Sequence, residues 1–164
     1  MPQVPMQELP DHARLWVFAA DRTLGPTEQT VLLSAVDHFQ GMWAAHGTPL
    51  TSGRELRHGR FLLVAVDEQA AGVSGCSIDA LTRALRGLEE RFGLVLLDNG
   101  PVHYRDGDTV QRASRPAFRR LAESGAVSAA TVVFDNTTPT LGNVREGRWE
   151  TVAQDTWVGR AFFG

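Results

Sequence analysis

The residues of this chain with the clearest chemical potential lie together in the stretch 72–79, whose letters are GVSGCSID. Cys76 is the only cysteine, and it stands at the start of a predicted helix, where the helix dipole favours a reactive thiolate. Ser74 and Ser77 supply hydroxyl groups, and Gly75 lets the backbone approach a ligand closely. Because the first amides of a helix have no partners within it, they attract anions. The stretch is therefore predicted to bind an anion or to present a reactive thiol.

The same stretch also fits a purely structural role, and the sequence leaves both interpretations open. Ser77 has the side chain of a helix N-cap, and Asp79 would then lie in the first turn, where the dipole favours a negative charge. With that cap, Cys76 would pack against Leu81 as a hydrophobic staple.

Four other residues are candidates for the same site. Asp67 and Glu68 directly follow a predicted buried strand and would lie near the glycine loop as ligand-orienting acids, and Arg60 precedes that strand. His46, at the end of a predicted helix, could act as a base for Cys76 or simply stabilise the helix C-terminus as a cation. Charges that flank a strand are also typical of the points where it leaves the core. We predict no metal site and no cofactor.

The elements that must position these residues follow a β-α-β-β-α-β order over residues 14–98. The run Phe61–Val66 is continuously apolar, which is typical of a central strand covered on both faces. Helical spacing of apolar residues marks two helices, one with a stripe at Leu32, Val36, Phe39 and Trp43, the other at Ile78, Leu81, Leu85, Leu88 and Phe92. The order predicts an α+β fold with a ferredoxin-like core, with an open α/β sheet as the alternative.

A C-terminal αβ extension is predicted to follow this core. It contains strands near residues 102–104, 109–112, 131–134 and 149–153, a helix over 116–124, and an apolar tail over 157–163 that docks on the core. Residues 1–13 are predicted to form a flexible N-terminus, and residues 14–164 a single α+β domain.

Composition excludes several classes of function for this chain of 164 residues. All 16 basic residues are arginine, so there is no Schiff-base lysine and no P-loop lysine, and we expect no ATP hydrolysis. A single cysteine excludes an internal disulfide and a CxxC pair. The net charge of −3 argues against nucleic acid as a partner. No apolar run approaches the roughly 18 residues of a membrane span, and no signal peptide is recognised, so a cytoplasmic protein is expected.

The chain resembles a bacterial family of uncharacterised small proteins with a VDE…SGCSID signature. The matching stretches are 43–46, 60–61, 66–68, 74–79 and 133–136, together with the regions of Trp149 and Trp157, and the resemblance covers most of the chain from Trp16 onward. Members are often labelled ABC transporter ATPases, but this chain has neither a GxxxxGK[ST] motif nor any lysine. It also has Asn99 where the family pattern has a basic residue.

These observations favour a non-catalytic binding or regulatory domain whose helix-start loop, at Gly75, Cys76 and Ser77, holds a small anion or a protein partner. The alternative is a thiol-dependent enzyme or redox sensor that uses Cys76. A homodimer is a further expectation, because Trp157, Phe162 and Phe163 could bury a contact between two copies.

Overall fold

Two main antiparallel sheets, a short two-stranded sheet and five α-helices make up the fold in a computed structural model that describes residues 3–45, 47–68 and 75–164, with the side chains of residues 75 and 76 excepted. The α+β class predicted from the sequence is confirmed. The strands are β1 (Arg14–Ala19), β2 (Ala44–Ala45), β3 (Thr48–Pro49), β4 (Ser52–Arg57), β5 (Phe61–Val66), β6 (Val102–Asp106), β7 (Thr109–Ala113), β8 (Val132–Phe134) and β9 (Glu150–Val152). The helices are α1 (Pro26–Met42), α2 (Gly75–Phe92), α3 (Arg115–Ser124), α4 (Leu141–Arg145) and α5 (Trp157–Phe162).

The first sheet has the order β1-β5-β4 and is antiparallel throughout, so the open α/β alternative is wrong. All six residues of β5 are buried, as its apolar run predicts for a central strand. β4 and β5 form a hairpin through His58 and Gly59, whose φ angles of 54° and 65° are typical of a two-residue turn.

One face of this sheet is covered by α1 and α2, and their apolar stripes form the first core. Leu32 and Val36 of α1 and Leu81, Leu85 and Leu88 of α2 are buried there, as predicted. Phe39, also predicted to be buried, is only partly so.

The last strand of the predicted ferredoxin-like core does not form, and that part of the prediction is wrong. Residues 94–97 have no regular secondary structure and belong to no sheet. The Glu89 carboxylate accepts hydrogen bonds from the backbone N–H groups of Leu96 and Leu97, at 2.8 and 3.0 Å. Since those donors are occupied by a side chain of α2, they cannot pair with β1. Val95 is joined to Asp21, two residues after the end of β1: its carbonyl accepts from the Asp21 N–H at 3.1 Å, and its N–H donates to the Asp21 carboxylate at 3.2 Å.

Replacing Glu89 with alanine is expected to lower the free energy of unfolding by about 1–3 kcal/mol, because two partly buried N–H groups lose a charged acceptor. Glu90→Ala, at the exposed neighbouring position of α2, is the matched control and should change stability by less than about 0.5 kcal/mol. Urea unfolding of the three proteins measures both values. Equal effects of the two variants would show that Glu89 does not hold this segment.

The second sheet has the order β7-β6-β8-β9 and forms the predicted C-terminal extension. The hairpin β6–β7 turns at Gly107, and α3 and α5 pack against the sheet around Phe118. The apolar tail docks as predicted: the rings of Phe118 and Phe162 lie 5.0 Å apart. The short helix α4, which begins after the N-cap Thr140, was not predicted.

A core of large side chains joins the two sheets. Phe61 and Leu63 of β5 are buried in this core together with Phe134 of β8 and Trp149, and the ring of Phe61 contacts both aromatic rings. Residues 3–13, placed by the sequence in a flexible N-terminus, contribute Met6 and other buried side chains to the same core.

Candidate functional site

The acids and the arginine predicted to share a site lie at opposite ends of β5. Asp67 follows the strand, with its carboxylate 3.4 Å from His12 Nε2, and Glu68 lies 3.5 Å from an Arg14 nitrogen. Arg60 precedes the strand and is buried, where it donates to the carbonyls of residues 110 and 20 at 3.1 and 3.3 Å. The structure therefore does not bring Arg60 together with the two acids.

Ser77 and Asp79 differ in position from the prediction, because α2 begins earlier than expected. The helix starts at Gly75, so Ser77 lies within it and is not its N-cap. The Ser77 hydroxyl donates to the Ala44 carbonyl at 3.1 Å, and its own carbonyl accepts from Trp43 Nε1 at 2.8 Å. Asp79 is exposed and lies beyond the first turn. These contacts fix the start of α2 against the end of α1.

The other predicted residues of this site lie outside the described part of the chain. They are His46 and Ser74, together with the side chain of Cys76. Both the helix-start binding loop and the thiol alternative therefore stay predictions. Among the described residues, no three His, Cys, Asp or Glu side chains are grouped so that they could hold a metal ion.

A different site lies on the second sheet, lined by residues of β6, β8, α3 and α5 and of the loops beside them. A cavity of about 430 Å³, here called the histidine cavity, is lined by Asn99, His103, Arg115, Phe134, Asn136 and Trp157, among others. A larger and more open depression of about 540 Å³ lies beside α4 and is lined by side chains such as Asp135 and Arg148. One residue of the histidine cavity has a buried polar side-chain atom without a hydrogen-bond partner among the described residues, whereas the residues of the larger depression have none.

His103 is that residue, and its environment determines which ring nitrogen carries the proton. The side chain is only 2% exposed. Trp149 Nε1 donates to Asn136 Oδ1 at 2.9 Å, which turns the Asn136 amide nitrogen toward His103 Nδ1, at 3.5 Å. Because Nδ1 accepts from Asn136, the neutral ring carries its proton on Nε2. That N–H has no acceptor within the described chain.

Burial and neighbouring positive charges keep His103 neutral. Burial lowers its pKa from the ordinary 6.5 to about 4, and the charges of Arg60 and Arg112 add to the effect, while Asp98 opposes it. Burial also lowers the pKa of Arg60, whose Nε is a second buried donor without a partner among the described residues. At neutral pH, His103, which lines the cavity, is therefore uncharged and carries a buried N–H donor.

Arg115 supplies the positive charge of the cavity wall. Its Nε donates to the Gly100 carbonyl at 3.1 Å, and its guanidinium lies 4.7 Å from the centre of the Trp157 ring. No carboxylate of the described chain forms an ion pair with it. Asp98, by contrast, accepts from the Gly100 N–H at 2.9 Å and from Arg112 at 3.4 Å. The wall thus combines Arg115, which has no ion-pair partner in the described chain, with the neutral His103 and with Asp98, whose carboxylate is paired with Arg112.

Sequence reasoning missed this cavity, since His103 has no informative spacing to any other histidine. One signal was present: the stretch 133–136 and the regions of Trp149 and Trp157 were already singled out for the family resemblance. Phe134, Asn136 and Trp157 line the cavity, and Asn99 lines it as well.

No family model, curated protein or solved structure significantly matches this chain. In the described part of the chain, none of the helices has the length and apolar character needed to cross a bilayer. The functional assignment therefore rests on the geometry of the histidine cavity.

Proposed function

We propose that the protein is a non-catalytic binding domain that holds a small carboxylate-bearing ligand in the histidine cavity. The observation that carries this proposal is the buried N–H of His103, which faces no acceptor in the described chain. An unsatisfied buried donor costs about 1–3 kcal/mol. A ligand oxygen that accepts from His103 would recover that free energy, and this favours an occupied cavity.

The charges of the cavity favour an anion over a cation. Arg115 has no carboxylate partner within the described residues, and its planar guanidinium suits a carboxylate. His103 is neutral and donates, so it complements a second oxygen of the same ligand without repelling Arg115. A binding role is also what the sequence analysis predicts. The loop at the start of α2 remains a second predicted location for a ligand.

The wall of the cavity favours binding over catalysis. Its hydroxyl, that of Thr137, donates to the Asp135 carboxylate, so it is not aligned with His103 as a nucleophile with its base. His103 is itself a weak base, because its pKa is about 4.

Titration with N-acetylglycine and succinate, followed by the NMR signal of His103 Nε2, tests the proposal. We expect both acids to shift that signal, and Arg115→Gln to weaken binding by about tenfold or more through loss of the charged contact. Arg119→Gln is the matched control, because Arg119 also lies on α3 over an aromatic ring, 5.0 Å from Phe162, but does not line the cavity. An unchanged His103 signal, or equal loss in the two variants, would refute the proposal.

A further inference from the structure

We propose that the natural ligand of the histidine cavity is the carboxyl-terminal end of an extended peptide, whose backbone pairs with the open outer edge of β1. This inference rests on the proposed function and names the chemical class of its ligand. It is carried by a row of backbone groups on β1 and by a groove that leads from them into the cavity.

The hydrogen bonds at both ends of β1 show which residues face outward. Leu15 N–H donates to the Pro139 carbonyl at 2.9 Å, on the side away from β5. Ala20 N–H donates to the Arg60 carbonyl at 2.7 Å, on the β5 side. Because these directions alternate along a strand, the N–H groups of Val17 and Ala19 point outward. Among the described residues, neither of them donates to a backbone acceptor outside the sheet.

The segments that flank this edge cannot close it, because their own donors are engaged or missing. Pro139 lies opposite Leu15 and accepts from its N–H, but as a proline it has no N–H to donate to the Leu15 carbonyl. The next two donors along that segment are also engaged: the Thr138 N–H bonds to the Asp135 carbonyl and the Thr137 N–H to the Asp135 carboxylate, each at 3.1 Å. On the other flank, Glu89 binds the N–H groups of residues 96 and 97. The position of the missing fourth strand is thus left open to an added chain.

A groove of about 280 Å³ runs along this edge and adjoins the histidine cavity. It is lined by residues of β1 and by Asn99, Asn136 and Thr137, and these last three also line the cavity. A peptide paired with Val17 can therefore place its last residue in the cavity. Its terminal carboxylate would meet Arg115 and the N–H of His103, a match that an internal peptide segment cannot make.

Binding to the unaltered protein tests this inference with three probes: acetylated tripeptides of mixed sequence with a free carboxylate, the same tripeptides with an amidated end, and N-acetylglycine. We expect the free-acid tripeptides to bind about tenfold or more tightly than N-acetylglycine, because β-pairing adds hydrogen bonds. Amidation of the peptide end should weaken binding by a similar factor, because it removes the negative charge that Arg115 recognises.

Amide hydrogen exchange supplies a residue-level readout with an internal control. The free-acid tripeptides should slow exchange at Val17 and Ala19, while Trp16 and Phe18, whose N–H groups face β5, should change little. If N-acetylglycine shifts the His103 signal but the tripeptides bind no better and leave Val17 unprotected, the peptide inference is overturned and the proposed function stands. If no probe shifts His103, both fail. Protection of Val17 that rises with protein concentration alone would identify a second copy as the occupant and overturn the inference.

Discussion

Replacing Phe61 with alanine is expected to lower the free energy of unfolding by about 3–5 kcal/mol, as for other buried aromatic residues. Phe61 begins β5 and is fully buried. Its ring centre lies 4.7 Å from that of Phe134, 5.1 Å from that of Trp149 and 5.4 Å from that of His103. Removing the ring leaves a void between elements that cannot easily collapse, because strands of both sheets form its walls.

Chemical unfolding in urea measures this loss. Met42→Ala is the control for a large-to-small change, because Met42 is 69% exposed. This substitution should lower the free energy of unfolding by less than about 0.5 kcal/mol. A loss below about 1 kcal/mol for Phe61→Ala would contradict the role of this ring in joining the sheets.

The position of Phe61 links the fold to the site. It lies next to Arg60, whose guanidinium bonds to the Val110 carbonyl of β7 and the Ala20 carbonyl after β1. The start of β5 therefore anchors both the hairpin that carries His103 and the end of the strand whose outer edge is open. Both features depend on how the first and second sheets pack together.

Local patterns were sufficient to predict most of the elements. The six apolar residues of β5 can be buried only if both faces of the strand are covered, and helices and the second sheet cover them. The spacing of Leu81, Leu85 and Leu88 likewise placed one face of α2 in the core. In these segments the periodicity of the sequence and the tertiary packing agree.

Competition between side chain and backbone accounts for the two main local errors. Residues 94–97 have the composition of a strand, but the Glu89 carboxylate captures two of their N–H groups, and a contact from α2 is invisible to a local pattern. Ser77 has the side chain of a cap, but its hydroxyl bonds to Ala44, so the helix begins upstream of it.

The histidine cavity could not be predicted because its parts are distant in sequence. His103 and Asn136 are 33 residues apart, and Asn136 is oriented by Trp149, which is 13 residues further on. No spacing rule connects them. Their alignment follows from the pairing of β6 with β8, where Tyr104 lies opposite Val133.

The stability of the protein should depend on pH through His103, with a fall of about 3 kcal/mol in the free energy of unfolding between pH 6.5 and pH 4. The pKa of His103 is about 4 in the folded protein and 6.5 when exposed. In that interval the unfolded chain binds a proton that the folded chain excludes, so acid favours unfolding. The contribution is complete above pH 6.5 and is lost as the pH falls to about 4.

His103→Gln separates this effect from the titration of carboxylates. Asp37 and Glu150 have lowered pKa values, so their protonation also destabilises the fold in acid. This loss is the same in the wild type and in the variant. Urea unfolding at intervals between pH 7.5 and 4 gives the difference between wild type and variant at each pH. We expect this difference to change by about 3 kcal/mol across the interval, whatever its value at pH 7.5. A constant difference would mean that the folded protein admits the proton. In that case the proton would enter at Nδ1 without penalty, and His103 would not lie in the desolvated surroundings that make its Nε2–H an unsatisfied donor, so the proposed ligand would lose its main support.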